Sequence, residues 1–183
     1  MFSCLLKIIA DLLEIVGRTG GAERCWRKIC TINSNPENLT AAGYICFKNK
    51  NFQDAENYFL KAMKKSPGYF QAFFNLGFLK QKENCHVDAI HYFSKAIELN
   101  GECDVAYYGR AQSFLATNSL DKAIVDLQQT IELQPFAPHA YYKLSHIYAK
   151  LNKQEKSLEI VQQLIGFEPQ LAHQLKKELK LEC

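Results

Sequence analysis

The side chains able to do chemistry are seven cysteines and five histidines, so metal binding, disulfide formation and thiol catalysis are the possibilities to test first. Cys4, Cys25, Cys30, Cys46, Cys85, Cys103 and Cys183 contain no Cys-x-x-Cys pair and no Cys/His cluster at zinc-ligand spacing. Their number is odd and their positions scattered. They are expected to be free thiols that behave as small apolar residues in a reducing compartment, which points to a cytoplasmic protein. His86, His91, His139, His146 and His173 have no carboxylate or cysteine partner at ligand spacing and are expected on solvated helix surfaces. No phosphate-cradling glycine loop, nucleophile elbow or His-Glu metal motif is present, and nothing around Cys25, Cys30 or Cys103 would activate a nucleophile. The expectation is a protein without catalysis, metal or cofactor, whose chemistry is recognition.

Composition narrows what is recognised. The chain has 183 residues, 48% of them hydrophobic, with 22 basic and 19 acidic side chains for a net charge of +3. It is too apolar to be disordered, and too mildly charged for the concentrated basic face that nucleic-acid or membrane-surface binding requires. The apolar opening MFSCLLKIIADLLEIV lacks a basic leader and is interrupted by Asp11 and Glu14, so it is expected to be neither a signal peptide nor a membrane span.

The elements that position these residues recur. The segments DAENYFLKAMKKSP, DAIHYFSKAIELNG, KAIVDLQQTIELQP and KSLEIVQQLIGFEP begin at Asp54, Asp88, Lys122 and Lys156, each 34 residues after the last. Each period holds two amphipathic stretches joined by a polar turn and closed by Pro67, Gly101, Pro135 or Pro169, the pattern of a helical hairpin. Gly43, Gly77, Ala111 and Ser145 form a column of small residues, expected where a neighbouring backbone comes close. Ala55, Ala89, Ala123 and Ser157 form a second, with Phe59, Phe93, Leu127 and Val161 filling the space between hairpins. Asn84, Asn118 and Asn152 recur where a left-handed residue would end the first helix.

The period and columns resemble the tetratricopeptide repeat family, whose pattern is visible as Phe73, Leu76, Gly77, Ala89, Phe93 and Ala96. Departures occur at Lys80 (usually aromatic), Gly101 (usually proline), and Thr130 and Leu164 (usually alanine). The resemblance implies an all-α, right-handed α-solenoid forming one domain over 1–183, with repeats at 36–69, 70–103, 104–137 and 138–171. Stepping back 33 residues aligns Ala10, Gly17, Ala22, Trp26 and Ile29 with the same columns, so 3–35 is expected to be a degenerate repeat. Its first helix would turn Leu6, Ile9 and Leu13 inward and Asp11 and Glu14 outward, GRTGG would be its turn, and Trp26 would be buried. Residues 172–183, with Ala172, Leu175 and Leu179 opposite Lys176, Lys177 and Lys180, are expected to form a capping helix.

In such arrays the first helix of each hairpin lines the concave face. The residues a ligand would meet are then Tyr44, Phe47 and Lys48; Phe74, Asn75, Phe78 and Lys82; Tyr108 and Gln112; and Tyr142, Lys143 and His146. Aromatics anchor, while amides and lysines bond a peptide backbone or meet acidic side chains. The expected function is an adaptor that holds a peptide or helix of another protein, with pairing of two copies through the aromatic face also open. A small export or assembly chaperone is the alternative. An enzyme fragment is disfavoured because the chain opens on Met1 and closes on a capping helix, and an RNA-binding repeat because the lysines are few. The family's clamp for acidic chaperone tails is absent, since Asn75 matches but Thr40, Tyr44, Val105 and Gly109 stand where other clamp residues are needed.

Overall fold

A computed structural model describes residues 2–181, and among them there are eleven helices and no strand. The chain divides into two compact units, one up to Gly101 and one from Glu102 onward. In the first, α1 (Phe2–Ile15) pairs with α2 (Thr19–Ile32), α3 (Pro36–Lys48) with α4 (Phe52–Lys65), and α5 (Phe70–Lys82) with α6 (His86–Leu99). In the second, α7 (Asp104–Ala116) pairs with α8 (Leu120–Leu133), α9 (Pro138–Lys150) with α10 (Gln154–Ile165), and α11 (Pro169–Glu178) lies against α10.

Local chemistry sets the helix ends. Pro36, Pro138 and Pro169 stand in first turns, where a missing N–H costs nothing, and the Asn35 side chain accepts the Asn38 N–H at 2.8 Å. The first helix of every hairpin stops at a left-handed residue: Gly17, Lys50, Asn84, Asn118 and Asn152 have φ of 74°, 62°, 60°, 57° and 56°. The next residue donates its N–H to the carbonyl five positions back, at 2.7 Å from Arg18 to Leu13, 2.8 Å from Asn51 to Cys46 and 2.9 Å from Cys85 to Lys80. The same closure recurs at Ser119 and Lys153. Tight turns of this kind hold the two helices of a hairpin side by side.

Packing follows the columns. Phe59, Phe93, Leu127 and Val161 are fully buried, as are Ala55, Ala89, Ala123 and Ser157. The small column at Gly43 and Gly77 has a different cause from the expected close backbone. A Cβ on Gly43 would lie 2.5 Å from Cε1 of Phe59, and one on Gly77 would lie 2.8 Å from Cδ1 of Phe93. The glycines make room for the ring of their own hairpin's second helix. Farther on, the two small columns meet directly, where Ser157 Oγ donates to the Ser145 carbonyl at 3.0 Å.

Trp26 is buried with Ala10, Ala22, Ile29, Ala42 and Ile45, which joins α1, α2 and α3 into one cluster. The α1 register differs from expectation at one residue. Leu6 and Leu13 pack into this cluster, but Ile9 is 38% exposed on a ridge with Leu5, Ile8, Leu12 and Ile15. Ala10, whose side chain is a single methyl group, is fully buried, in keeping with its alignment to the small column. Thr19, Gly20 and Gly21 of the expected GRTGG turn already belong to α2, where a Cβ on Gly21 would come 3.2 Å from Leu13. Arg27 ties α2 to α4 by bonds to Asp54 (2.6 Å) and Glu23 (2.7 Å), and Asn49 donates to Glu23 at 2.6 Å.

Lys80, where the repeat family usually has an aromatic, is 15% exposed and paired with Glu56 at 2.7 Å and Glu83 at 3.0 Å. Burial opposes its charge, but these carboxylates outweigh it and hold the ammonium above its ordinary range. Arg110 on α7 grips the buried Asp126 on α8 with two bonds of 2.8 and 2.7 Å. At the end of the chain, α11 runs from Pro169 to Glu178, starting three residues before the expected 172. Ala172 and Leu175 are buried and Lys177 and Lys180 exposed, while Cys183 lies outside the described residues. No helix among the described residues is long and apolar enough to cross a membrane.

Candidate protein-binding groove

In the first unit α3 and α5 are in contact, and Gly43 and Gly77 turn toward the rings of their own hairpins' second helices, Phe59 of α4 and Phe93 of α6. The structure brings Tyr44, Phe47, Phe74, Asn75 and Phe78 together around one cavity of about 230 Å³, floored by Phe59. Its rings are in contact. Phe47 meets Phe78 edge-on with centroids 5.8 Å apart, Phe78 stacks on Phe74 at 6.4 Å, and Phe74 touches the buried Phe93 at 6.0 Å. Tyr44 and Phe78 remain 47% and 38% exposed, so this apolar lining opens to solvent.

Polar groups frame the rings. Lys48 Nζ lies 5.7 Å from the Tyr44 ring centre and 2.6 Å from Glu14 Oε1, while Lys82 Nζ lies 5.6 Å from the Phe78 ring centre. The cavity continues into a shallower trough lined by Glu37, Thr40 and Gln71 and sharing Tyr44, Phe74 and Asn75. Gln71 donates to the Asn75 side-chain oxygen at 3.4 Å. Thr40 is turned inward, bonding the Pro36 and Glu37 carbonyls at 3.0 Å each.

The expected residues of the second unit are divided. Tyr142, Lys143 and His146 line a wider opening of about 500 Å³ together with Leu115, Leu120 and Lys150. Tyr108 packs half-buried against the core and lines a separate small recess, and Gln112 lines neither opening. Tyr142 donates to Glu178 at 3.1 Å, and His146 Nε2 stands 3.5 Å from the same carboxylate. Burial, then the Glu178 contact, raises the Tyr142 hydroxyl pKa. Glu178 was not legible in the sequence because the contact joins residues 36 apart through packing of α11.

A further opening of about 700 Å³ lies between α1 and α2 beside Arg18, Arg24 and Lys28 and lacks converging rings or amides. Among the described residues no set of three metal-ligating side chains converges. The six described cysteines are unpaired. Burial pushes the Cys46 thiol up to about 12 and raises Cys30 and Cys103, the reverse of what a nucleophile needs.

Consecutive helical hairpins, each closed by the same left-handed turn, define an all-α helical-repeat protein. Tetratricopeptide repeat models match residues 36–68, 88–138 and 138–171, and the chain belongs to the tetratricopeptide repeat family. No curated protein matches it in sequence. Its fold is similar to the crystal structure of MamA, at TM-score 0.78 and 21% identity over 99% of this chain and 97% of that one. It is similar to YrrB, described as a tetratricopeptide protein with an unusual peptide-binding site, at TM-score 0.73 and 24% identity over 94% and 90%. PilF of Pseudomonas aeruginosa matches at TM-score 0.81 and 16% identity over 96% and 82%.

Proposed function

We propose that this chain is a non-catalytic adaptor that holds a segment of a partner protein against the α3 and α5 face. The observation that carries this reading is the half-open ring-lined cavity, since rings left exposed at the mouth of a preformed recess are what a binding anchor requires. The peptide-binding site described for YrrB is consistent with it. Free thiols suit a reducing, cytoplasmic setting. The framing lysines are too few for a nucleic-acid stripe, and the partner is a protein.

The test compares two variants in affinity capture from native lysate. Tyr44→Ala with Phe78→Ala should keep the melting temperature of the parent within a few degrees and weaken partner retention by about tenfold or more. Gly77→Val should do the opposite. Its branched Cβ collides with the buried Phe93 ring and unfolds the hairpin, and binding is lost only with the fold. If the double variant melts as badly as Gly77→Val, the rings are core. If it melts normally and retains every partner, binding lies elsewhere. Pairing of two copies through these rings would appear as a doubled mass by light scattering, abolished in the double variant.

A further inference from the structure

Building on the proposed groove, the geometry points to the chemistry of its occupant. We infer that the cavity is an anchor pocket for a single bulky apolar side chain of the partner segment, flanked on one side by acidic residues that meet Lys82 and Lys48.

Size restricts the anchor. At about 230 Å³ the cavity lies below the range of about 300 Å³ and above typical of small-molecule sites. It exceeds the roughly 150 Å³ of an apolar cavity that admits one benzene ring. One phenylalanine, leucine or methionine side chain fits, and two do not. Chemistry excludes a charged anchor, because the lining is five aromatic rings and one amide.

Charge sets the direction of the segment. Lys48 and Lys82 are the last residues of α3 and α5, at one end of the ring cluster. Lys82 forms no ion pair among the described residues and rests on the outer face of Phe78, so its ammonium is available beside the anchor. Lys48 is shared with Glu14 and contributes second. Toward the other ends of the helices, the trough passes Asn75 and Gln71, whose amides can bond a peptide backbone, and reaches Glu37. An occupant running along this trough places acidic residues at the lysine end, its bulky apolar residue over Phe47 and Phe78, and polar or basic residues near Glu37.

The test is selection of a random twelve-residue peptide library on the full chain, with selected peptides remeasured by fluorescence polarisation. The expected enrichment is one bulky apolar residue with Asp or Glu one to three positions to one side. Phe78→Ala should weaken such a peptide at least tenfold. Lys82→Glu should weaken it several-fold, and exchanging the peptide's acids for lysines should restore affinity to Lys82→Glu alone. Selected peptides that lose affinity in Phe78→Ala but carry no acids, or that are not rescued by the charge exchange, overturn the acidic-flank inference and leave the groove reading standing. Peptides unaffected by Phe78→Ala, or no enrichment at all, overturn the anchor pocket, and only the former also counts against the α3 and α5 face as the binding site.

Discussion

At the scale of single residues, the left-handed turn position separates what the chain tolerates from what suits it. Four of the five hairpin turns place glycine or asparagine there, but the α3–α4 turn has Lys50 at φ 62°. A side chain without a local hydrogen-bonding group carries a penalty of about 1–2 kcal/mol in this region, much of which asparagine avoids. Lys50→Asn should therefore raise stability by about 1 kcal/mol in urea denaturation, and Lys50→Ala should not. The asparagine column was legible because Asn is one of few residues that favour this conformation; Lys50 was not, because lysine in a sequence carries no signal of a positive φ. The groove shows the same division. Of the rings on α3 and α5, Tyr44 and Phe78 stand one 34-residue step apart, whereas Phe47 and Phe74 have Gln81 and Thr40 at the matching positions, and the Glu178 contacts to Tyr142 and His146 depended on where α11 packs.

At the scale of helices, docking of the first hairpin rests on the Trp26 cluster and on one ionic latch. Asn49 and then Arg27 lower the Glu23 pKa, and Arg27 and then Asn51 lower that of Asp54. A carboxylate with a folded pKa below its unfolded value adds stability in full above the ordinary carboxylate range, and loses it as pH falls through about 4 toward the lowered value. Both groups are partly exposed, so screening limits the latch to about 1 kcal/mol. Arg27→Ala should lower the urea midpoint at pH 7 and differ less from the parent at pH 3. An equal difference at both pH values would place the effect in packing of the Arg27 stem. The burial of α1 was legible through Ala10, Leu6 and Leu13. The exposure of Ile9 was not, because the run LLKIIADLLEIV places apolar residues around most of the helix and does not say which of an adjacent pair faces the neighbour.

At the scale of the whole chain, each hairpin is closed by its own turn and packs on the helices beside it in its unit. Stability in such arrays is a sum of repeat and neighbour contributions, so removal of terminal hairpins shortens the protein without abolishing it. Deleting residues 138–183 should leave a helical circular-dichroism spectrum of nearly unchanged amplitude per residue; collapse to a coil spectrum would mean that the hairpins fold only together.

The proposed function requires that the rings of α3 and α5 touch a partner. The most direct measurement replaces Phe78 with the photoreactive analogue benzoylphenylalanine in the otherwise unaltered chain, irradiates it in native lysate, and compares it with the same replacement at Val125, an exposed residue of α8. A light-dependent adduct with a discrete second protein is expected from position 78 and none from position 125. Adducts from position 125 with none from position 78 would contradict it.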